Sequence, residues 1–325
     1  MKKVKRTCAG LFAAAMLAGC NNDVFIDNFM PDVPQVLLSE EDSCAAVRFN
    51  AANWGISGCY SLYGGMVTVA TTLDGEPQEL PWAIGENGRL DYGDSFLNFH
   101  LEKTNDGRLD LTLRENLYDE PVKMYVEVGN EYETRTLEPL LMPTPKYVID
   151  SVAYDWDSFN ITSNGEQLEL AFLVEIDNSG GVKPLDVTVY PYEYAKRKTT
   201  FFSSDGYWIE DNYHRVFGSR LPNIGIPDIV DGKAAMKGTE VAFGIESQET
   251  DSGQDRAFSE VISVRPGEKR QFEVYNALYS YSVSYTVYAS CPWSGRRKVF
   301  TGTMTSSRPD GYLIFPIKTT ENNDE

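Results

Sequence analysis

The sequence has 325 residues, 24% of them charged, and its acidic side chains outnumber the basic ones to give a formal net charge of −19. A surface this acidic repels phosphate backbones, so nucleic acid is not expected as a partner. Hydrophobic residues make up 42% of the chain, which is enough for packed cores. Since single cores rarely exceed about 250–300 residues, the length predicts two domains.

The N-terminal segment, 1–19, has the pattern of an export signal. Four basic residues within the first six positions precede an apolar run from Ala9 to Ala18. The run is shorter than the ~20 residues that a membrane-spanning helix needs, and small residues follow it. These features predict a signal peptide that is removed from the mature protein.

The four residues Leu17-Ala18-Gly19-Cys20 resemble the lipobox of bacterial lipoproteins of the Bacteroidota type. The resemblance implies that Cys20 becomes the first residue and carries a palmitate-type lipid that anchors the protein to the cell envelope. Asn21 follows Cys20, where an Asp would retain the protein at the inner membrane in some bacteria. The expected location is therefore the outer membrane, on its surface or its periplasmic face. An ordinary signal peptide with a chance Cys20 is the alternative.

The stretch 20–43 is predicted to be a tether between the membrane and the first domain. Pro31 and Pro34 interrupt it, and acidic residues are spread along it, which disfavours a continuous helix or strand. In the alternative, its apolar residues, Phe29 among them, dock on the first domain as an edge strand.

The stretch 44–138 is predicted to be an immunoglobulin-like β-sandwich. The dipeptides Asp74-Gly75, Asn87-Gly88 and Asp106-Gly107 favour tight hairpin turns. Between these turns, apolar and polar residues alternate with the period of half-buried strands. The apolar positions are Leu97, Phe99 and Leu101, then Leu109, Leu111 and Leu113, then Met124, Val126 and Val128.

Two features of this domain resemble the BACON-type immunoglobulin-like modules of Bacteroidota lipoproteins. One is Trp82-Ala83-Ile84, which the resemblance places on an early strand. The other is the strand series from Leu109 to Leu137, although the closing Val-x-Gln strand of such modules is replaced by Leu137-Glu-Pro. The resemblance implies a sandwich and assigns no functional residues.

Three cysteines, Cys44, Cys59 and Cys291, remain beyond Cys20. In an exported protein, a Cys44–Cys59 disulfide would stabilise the first domain by about 3 kcal/mol. Buried unpaired thiols are the equally weighted alternative. The chain has two histidines and no Cys-x-x-Cys pair, so neither a zinc site nor another cofactor is predicted.

A proline cluster at 139–146 is predicted to be a linker, because Pro139, Pro143 and Pro145 lack the N–H that a central strand needs. A second β-sandwich is predicted over 147–318. Its cleanest alternation follows a turn at Asn164-Gly165 and places Leu168, Leu170, Phe172, Val174 and Ile176 on one face. The acidic tail 319–325 is predicted to be disordered.

The stretch 196–238 is interpreted as an insertion that interrupts the strand pattern and carries the candidate contact site. It combines aromatic rings and cations that could bind a sugar or a protein. The candidate contact residues are Tyr207, Trp208, Tyr213 and Arg215. The alternative is that these aromatic residues pack on their own domain.

No catalytic signature occurs in the chain, so an enzyme is not predicted. Asp155 and Asp157 flank Trp156. Their carboxylates could bind calcium, but the favoured interpretation is that they form the solvent-exposed side of an amphipathic strand. The sequence leaves two hypotheses for function. The first is a structural or protein-interaction module of the cell envelope, either adhesin-like or an accessory of a larger complex. The second is a glycan-binding accessory of an outer-membrane polysaccharide-uptake system.

Overall fold

A computed structural model describes residues 29–30, 35–51, 53–63, 67–130, 132–204 and 210–317. The signal peptide, Cys20 and the acidic tail lie outside the described residues. The chain divides after Lys146 into two compact units, and Tyr147 is also the residue at which the sequence predicts the second domain to begin. The described parts of both units are built of β-strands, with one short helix, so the all-β prediction is confirmed.

The N-terminal unit contains two five-stranded sheets in the described residues. In the first sheet the order is β1-β10-β8-β3, and β9 also pairs with β8. Its strands are β1 (Leu37–Leu38), β3 (Gly55–Ser61), β8 (Val122–Gly129), β9 (Thr134–Leu137) and β10 (Leu140–Leu141). In the second sheet the order is β2-β7-β6-β5-β4. Its strands are β2 (Cys44–Arg48), β4 (Val67–Thr71), β5 (Gly88–Gly93), β6 (Leu97–Lys103) and β7 (Arg108–Asn116).

The alternating residues of this unit form its core, as the sequence predicts. All nine apolar residues named above on β6, β7 and β8 are buried. The intervening residues on β7 are mostly half-buried, so each strand has one apolar and one wetter face. Gly75 and Gly107 adopt positive φ, as tight turns at these positions require.

The tether prediction is wrong for the part of 20–43 that the structure describes. Phe29 is buried and stacks on Phe49, with 6.1 Å between ring centroids. Leu37 and Leu38 form β1, which pairs in parallel with β10. Burial of Phe29 and Leu38 outweighs the interruption by the prolines. Phe29 docks on the first domain as the alternative has it, but the edge strand is formed by Leu37 and Leu38 instead.

The linker prediction at 139–146 is also wrong. The N–H groups of Leu140 and Met142 donate to the carbonyls of Val36 and Leu38, both at 2.8 Å. Pro139 and Pro143 lie next to these donors and remove neither of them, so β10 forms between the two prolines. The predicted strand at Trp82-Ala83-Ile84 is wrong as well, because only Ile84 makes a bridge, to Ile56, and Trp82 lies in a turn.

The C-terminal unit is built on one five-stranded sheet of order β11-β18-β19-β13-β16. Its strands are β11 (Val148–Asp177), β13 (Lys196–Ser203), β16 (Ser247–Asp251), β18 (Lys269–Ser290) and β19 (Arg297–Pro316). Two further pairs of strands accompany it: β12 (Leu185–Val189) with β17 (Glu260–Val264), and β14 (Asn223–Val230) with β15 (Lys233–Ala242). The helix α1 spans Glu210–Phe217.

The predicted turn at Asn164-Gly165 is wrong, because β11 continues through it. Between Asn164 and Gln167 the register with β18 shifts, and Gly165 adopts positive φ. The glycine therefore supports a β-bulge instead of a chain reversal. A second shift, between Leu170 and Phe172, places Leu170 and Leu173 on one face of the sheet and Phe172 on the other.

In the part that the structure describes, the stretch 196–238 is not an irregular insertion. It supplies β13, which pairs with both β16 and β19 inside the main sheet, followed by α1, β14 and the start of β15. Apolar and polar residues mix on β13 because its inner face holds Arg197 and Thr199 beside Phe201, all three buried. A strand with buried polar residues lacks the simple alternation by which the other strands are recognised.

Candidate functional site

The candidate contact residues predicted from the sequence do not form one exposed site. Tyr207 and Trp208 lie outside the described residues. Tyr213 is only 1% exposed, and its ring lies 5.2 Å from that of Phe243 in an aromatic core. The prediction for Tyr213 is therefore wrong, since this ring packs on its own unit and offers no stacking face. Arg215 is half-buried on α1.

The cysteines predicted as a possible disulfide are unpaired. Cys44 is exposed on β2, and Cys59 is buried on β3 in the other sheet of the unit. Burial raises the pKa of the Cys59 thiol, which keeps it protonated and unreactive. Cys291 is buried and is not part of a disulfide. The alternative of buried thiols outside any disulfide therefore holds for Cys59 and Cys291, whereas Cys44 is exposed.

The strongest candidate features surround the β14–β15 hairpin, which forms a separate two-stranded sheet. Tyr154 of β11 donates its hydroxyl to the carbonyl of Gly225 at 2.7 Å. Tyr281 of β18 donates to the carbonyl of Pro227. Asp228 supplies the third connection, through ion pairs to β13 and β19. One depression lies between the hairpin and β11. Another lies between the hairpin and the strands β13, β16 and β19.

The first depression, here called the Trp156 groove, exposes polar and apolar atoms in similar measure and has a volume of about 520 Å³. Tyr154, Trp156, Gly225 and Met236 are among its lining residues. Trp156 belongs to a bulge in which four residues of β11 lie opposite a single residue of β18. Trp156 is 49% exposed, and its ring lies 5.9 Å from that of Tyr154 and 6.4 Å from that of Phe159, so about half of the indole is open to a ligand.

The second depression, here called the polar pocket, has a volume of about 310 Å³. Charged and polar residues from β13, β14, β15, β16, β19 and the chain after β16 line it. They are Arg197, Asp228, Lys237, Thr239, Asp251, Ser252, Gln254, Arg308 and Asp310, with Gly253. This depression combines donors and acceptors and contains no aromatic ring.

A buried ion network forms the floor of the polar pocket. Asp228 accepts from Nη2 of Arg197 at 2.7 Å and from Nε of Arg308 at 3.0 Å. Burial alone would raise the pKa of Asp228, but the two guanidinium groups outweigh it and hold the pKa below its usual range. Arg308 also donates to Asp310, so two arginines face two carboxylates.

A third surface, here called the apolar face, is formed by neighbouring residues of β11, β18 and β19 in the main sheet. The β18 register aligns Leu170 with Tyr275 and Leu313 in one row, and Leu173 with Glu273 and Phe315 in the next row on the same face. The four leucine and phenylalanine side chains of these rows are 42–51% exposed. On the opposite face of the sheet, Val274 is buried and Tyr192 and Phe258 pack on Tyr312.

Asp155 and Asp157 are exposed, and Asp155 accepts from the N–H of Asp157 at 3.2 Å. Within the described ranges, no three acidic, histidine or cysteine side chains lie close enough to bind a metal ion together. In the same ranges, no helix has the length and apolar composition to cross a membrane.

No family model and no curated protein matches this sequence. Among solved structures, the chain is similar to the lamprey immune protein, with 9% identity, a TM-score of 0.36, and coverage of 85% of this chain and 99% of that one. It is also similar to the parasporin-2 toxin of Bacillus thuringiensis, with 10% identity, a TM-score of 0.26, and coverage of 53% and 74%. The Mpp75Aa1.1 β-pore-forming protein of Brevibacillus laterosporus has 14% identity, a TM-score of 0.24, and coverage of 62% and 80%. Scores this low assign no activity, so the proposals below rest on the chain's own residues.

Proposed function

We propose that the chain is a lipoprotein of the bacterial cell envelope that acts without catalysis, by contacting a protein partner through the apolar face. The lipobox at Cys20 supports the anchoring, and the two sheets of the N-terminal unit support an immunoglobulin-like sandwich as its spacer. The observation that carries the proposal is the exposure of five large apolar side chains at one end of the main sheet. They are Leu168, Leu170, Leu173, Leu313 and Phe315.

Exposed apolar side chains scattered singly are common, but a large contiguous set is typical of an interface. Here the set spans three neighbouring strands, and Tyr275 contributes an aromatic ring 5.9 Å from that of Phe315. Aromatic and large aliphatic side chains at the centre of an interface supply most of its binding free energy.

The charges around the apolar face indicate the chemistry of the partner. Glu175 and Glu273 lie on this face. Lys269 pairs with Glu175 at 2.7 Å, so an acidic excess remains. Two copies of this edge in contact would bring like charges together. The partner that fits is therefore a different protein, with an apolar surface surrounded by basic residues.

Replacing Leu170 and Leu313 together by serine is expected to weaken partner binding by at least about tenfold, since each buried leucine contributes about 1.5–3 kcal/mol. The measurement compares envelope proteins recovered with the parent and with the variant, by quantitative mass spectrometry after crosslinking in intact cells. Because both leucines are about half exposed, their replacement is expected to change stability by no more than about 0.5 kcal/mol.

Val67→Ser provides the matched control, because Val67 is 65% exposed on β4 of the other unit. The proposal predicts that partners lost from the double variant are retained by this control. An unchanged set of partners in the double variant would contradict it.

A second candidate function, binding of glycans for an outer-membrane polysaccharide-uptake system, is favoured by the Trp156 groove. An exposed indole at the edge of a depression is suited to stack on the C–H face of a sugar ring. Trp156→Ala is expected to remove retention of the protein in polysaccharide affinity gels. The matched control is Trp82→Ala, because Trp82 is 48% exposed in the N-terminal unit and Trp156 is 49% exposed.

This second candidate fails if the parent protein is not retarded by any polysaccharide tested. It also fails if Trp156→Ala and Trp82→Ala have the same mobility in the polysaccharide affinity gel.

A further inference from the structure

We infer that the polar pocket binds a monosaccharide-sized carboxylate, with a hexuronic acid as its chemical class. The pocket does not include the apolar face, and the inference does not depend on the protein-interaction proposal. Its volume of about 310 Å³ lies at the lower end of the range for small-molecule sites. Four observations support the inference.

The first observation is a cation without a carboxylate partner. Asp228 faces Arg197 and Arg308, Asp310 faces Arg308, and Asp251 lies 3.7 Å from Arg256. Each carboxylate lining the pocket therefore faces an arginine. Lys237 is exposed on β15 and has no ion-pair partner among the described residues. A ligand with one negative charge would give Lys237 an ion-pair partner.

The second observation is a group of buried polar atoms that lack hydrogen-bond partners. Among the described residues, Nε of Arg197 and the hydroxyls of Thr199 and Thr250 have none. Thr250 lies directly opposite Arg197 in the β13–β16 register, and Thr199 is two residues along the same face of β13. Of the three, Arg197 lines the polar pocket, whereas Thr199 and Thr250 lie beside it on the same face of the sheet. Leaving such groups unpaired is unfavourable.

The third observation is the donor character of these groups. A guanidinium N–H and an ammonium can only donate, while a threonine hydroxyl can donate or accept. A ligand at this place must therefore bring acceptor oxygens toward Arg197 and Lys237. Carboxylate oxygens are suited to both, because hydrogen bonds between ionised partners are the strongest.

The fourth observation is the supply of hydroxyl partners on the remaining walls. Thr239, Ser252 and Gln254 line the pocket. The amide of Gln254 already donates to the carbonyl of Pro309 at 3.0 Å, which fixes its orientation and leaves its oxygen as an acceptor. A carboxylate attached to a ring with several hydroxyls matches these walls better than a bare anion does.

The test is isothermal titration of the full-length mature protein with galacturonate and with galactose, which differ only in the carboxylate. The expected result is binding of galacturonate, with galactose at least about tenfold weaker because it leaves Lys237 without its partner charge. Sulfate is titrated as a bare anion and is expected to bind more weakly than galacturonate.

Lys237→Met is expected to weaken galacturonate binding at least about tenfold. Lys233→Met is the matched control, because Lys233 begins the same strand and does not line the pocket, so its affinity should stay within about twofold of the parent. Trp156→Ala should also leave the affinity unchanged, which separates this pocket from the Trp156 groove.

Absence of galacturonate binding would overturn the inference, as would equal binding of galactose. Equal binding of sulfate would show a site for anions in general and would also overturn it. The same holds if Lys237→Met and Lys233→Met have equal effects, or if Trp156→Ala removes the binding.

Discussion

Replacing Asp228 by alanine is expected to lower the free energy of unfolding of the C-terminal unit by about 3–5 kcal/mol. Asp228 is buried between Arg197 and Arg308, which are buried as well. Removing the carboxylate would leave two guanidinium groups away from water without their shared counter-charge. It would also remove the ion pairs that hold the β14–β15 hairpin on the main sheet. Hydrogen exchange measured over Asn223–Val230 is the suitable readout, because it reports on the hairpin itself.

Asp251→Ala is the control for the loss of a carboxylate. Asp251 is exposed, and its closest cation, on Arg256, is 3.7 Å away, so this variant is expected to lose no more than about 1 kcal/mol. If the hairpin amides exchange as slowly in Asp228→Ala as in Asp251→Ala, the ion network does not hold the hairpin on the sheet.

The contribution of Asp228 should also depend on pH in a defined direction. Its pKa is lowered in the folded state, relative to about 3.9 in the unfolded chain. The stabilisation is therefore fully present above the unfolded pKa and is lost as the pH falls through the folded pKa. The difference in stability between the parent and Asp228→Asn should be constant from pH 7 to about pH 5 and should shrink below about pH 4.

Replacing Cys20 by serine is expected to abolish lipid attachment completely. The proposal assigns the lipid to this thiol, and serine removes the sulfur on which the thioether forms. The measurement is incorporation of a palmitate analogue in growing cells, followed by separation of membrane and soluble fractions. The variant is expected to carry no label and to leave the membrane fraction unless its signal peptide stays uncleaved.

Cys44→Ser is the control for labelling of other thiols, because Cys44 is the exposed free cysteine of the folded part. It should be labelled as strongly as the parent. Label that persists in Cys20→Ser would show that the lipid is carried elsewhere and would remove the support for a lipid anchor.

The sequence predicts the core of the N-terminal unit well, because its strands alternate without interruption. Leu109, Leu111 and Leu113 are buried in turn on β7, with half-buried residues between them. Every second residue faces the core for as long as the register is continuous, so the pattern alone identifies the buried face.

The same reasoning fails on β11 because of one extra residue. Leu168, Leu170, Phe172, Val174 and Ile176 alternate in the sequence, which predicts a single buried face. The register shift between Leu170 and Phe172 places the residues before and after it on opposite faces. Leu170 is therefore exposed, whereas Ile176 is buried. A bulge of this kind depends on pairing with β18, about a hundred residues along the chain, and leaves no local signal.

The polar pocket could not be predicted from local patterns for a similar reason. Asp228 pairs with Arg197 and Arg308, which lie 31 and 80 residues away. Each of these side chains, taken alone, is typical of a solvated surface. These three side chains come together only when β13, β14 and β19 pack against one another in the folded unit. Tyr213 is the opposite case, in which a local pattern predicts a site that is not there. Its position among cations predicts a contact residue, but its ring packs in the core.

The most direct test of the central claim is site-specific crosslinking in living cells. A photoreactive amino acid is placed at Leu170, at Leu313 and, as the control, at Val67. The proposal predicts a discrete adduct with the same protein from both positions on the apolar face, and no such adduct from Val67. No adduct at Leu170 and Leu313, or the same adducts from all three positions, would contradict the claim that this face is where the protein meets its partner.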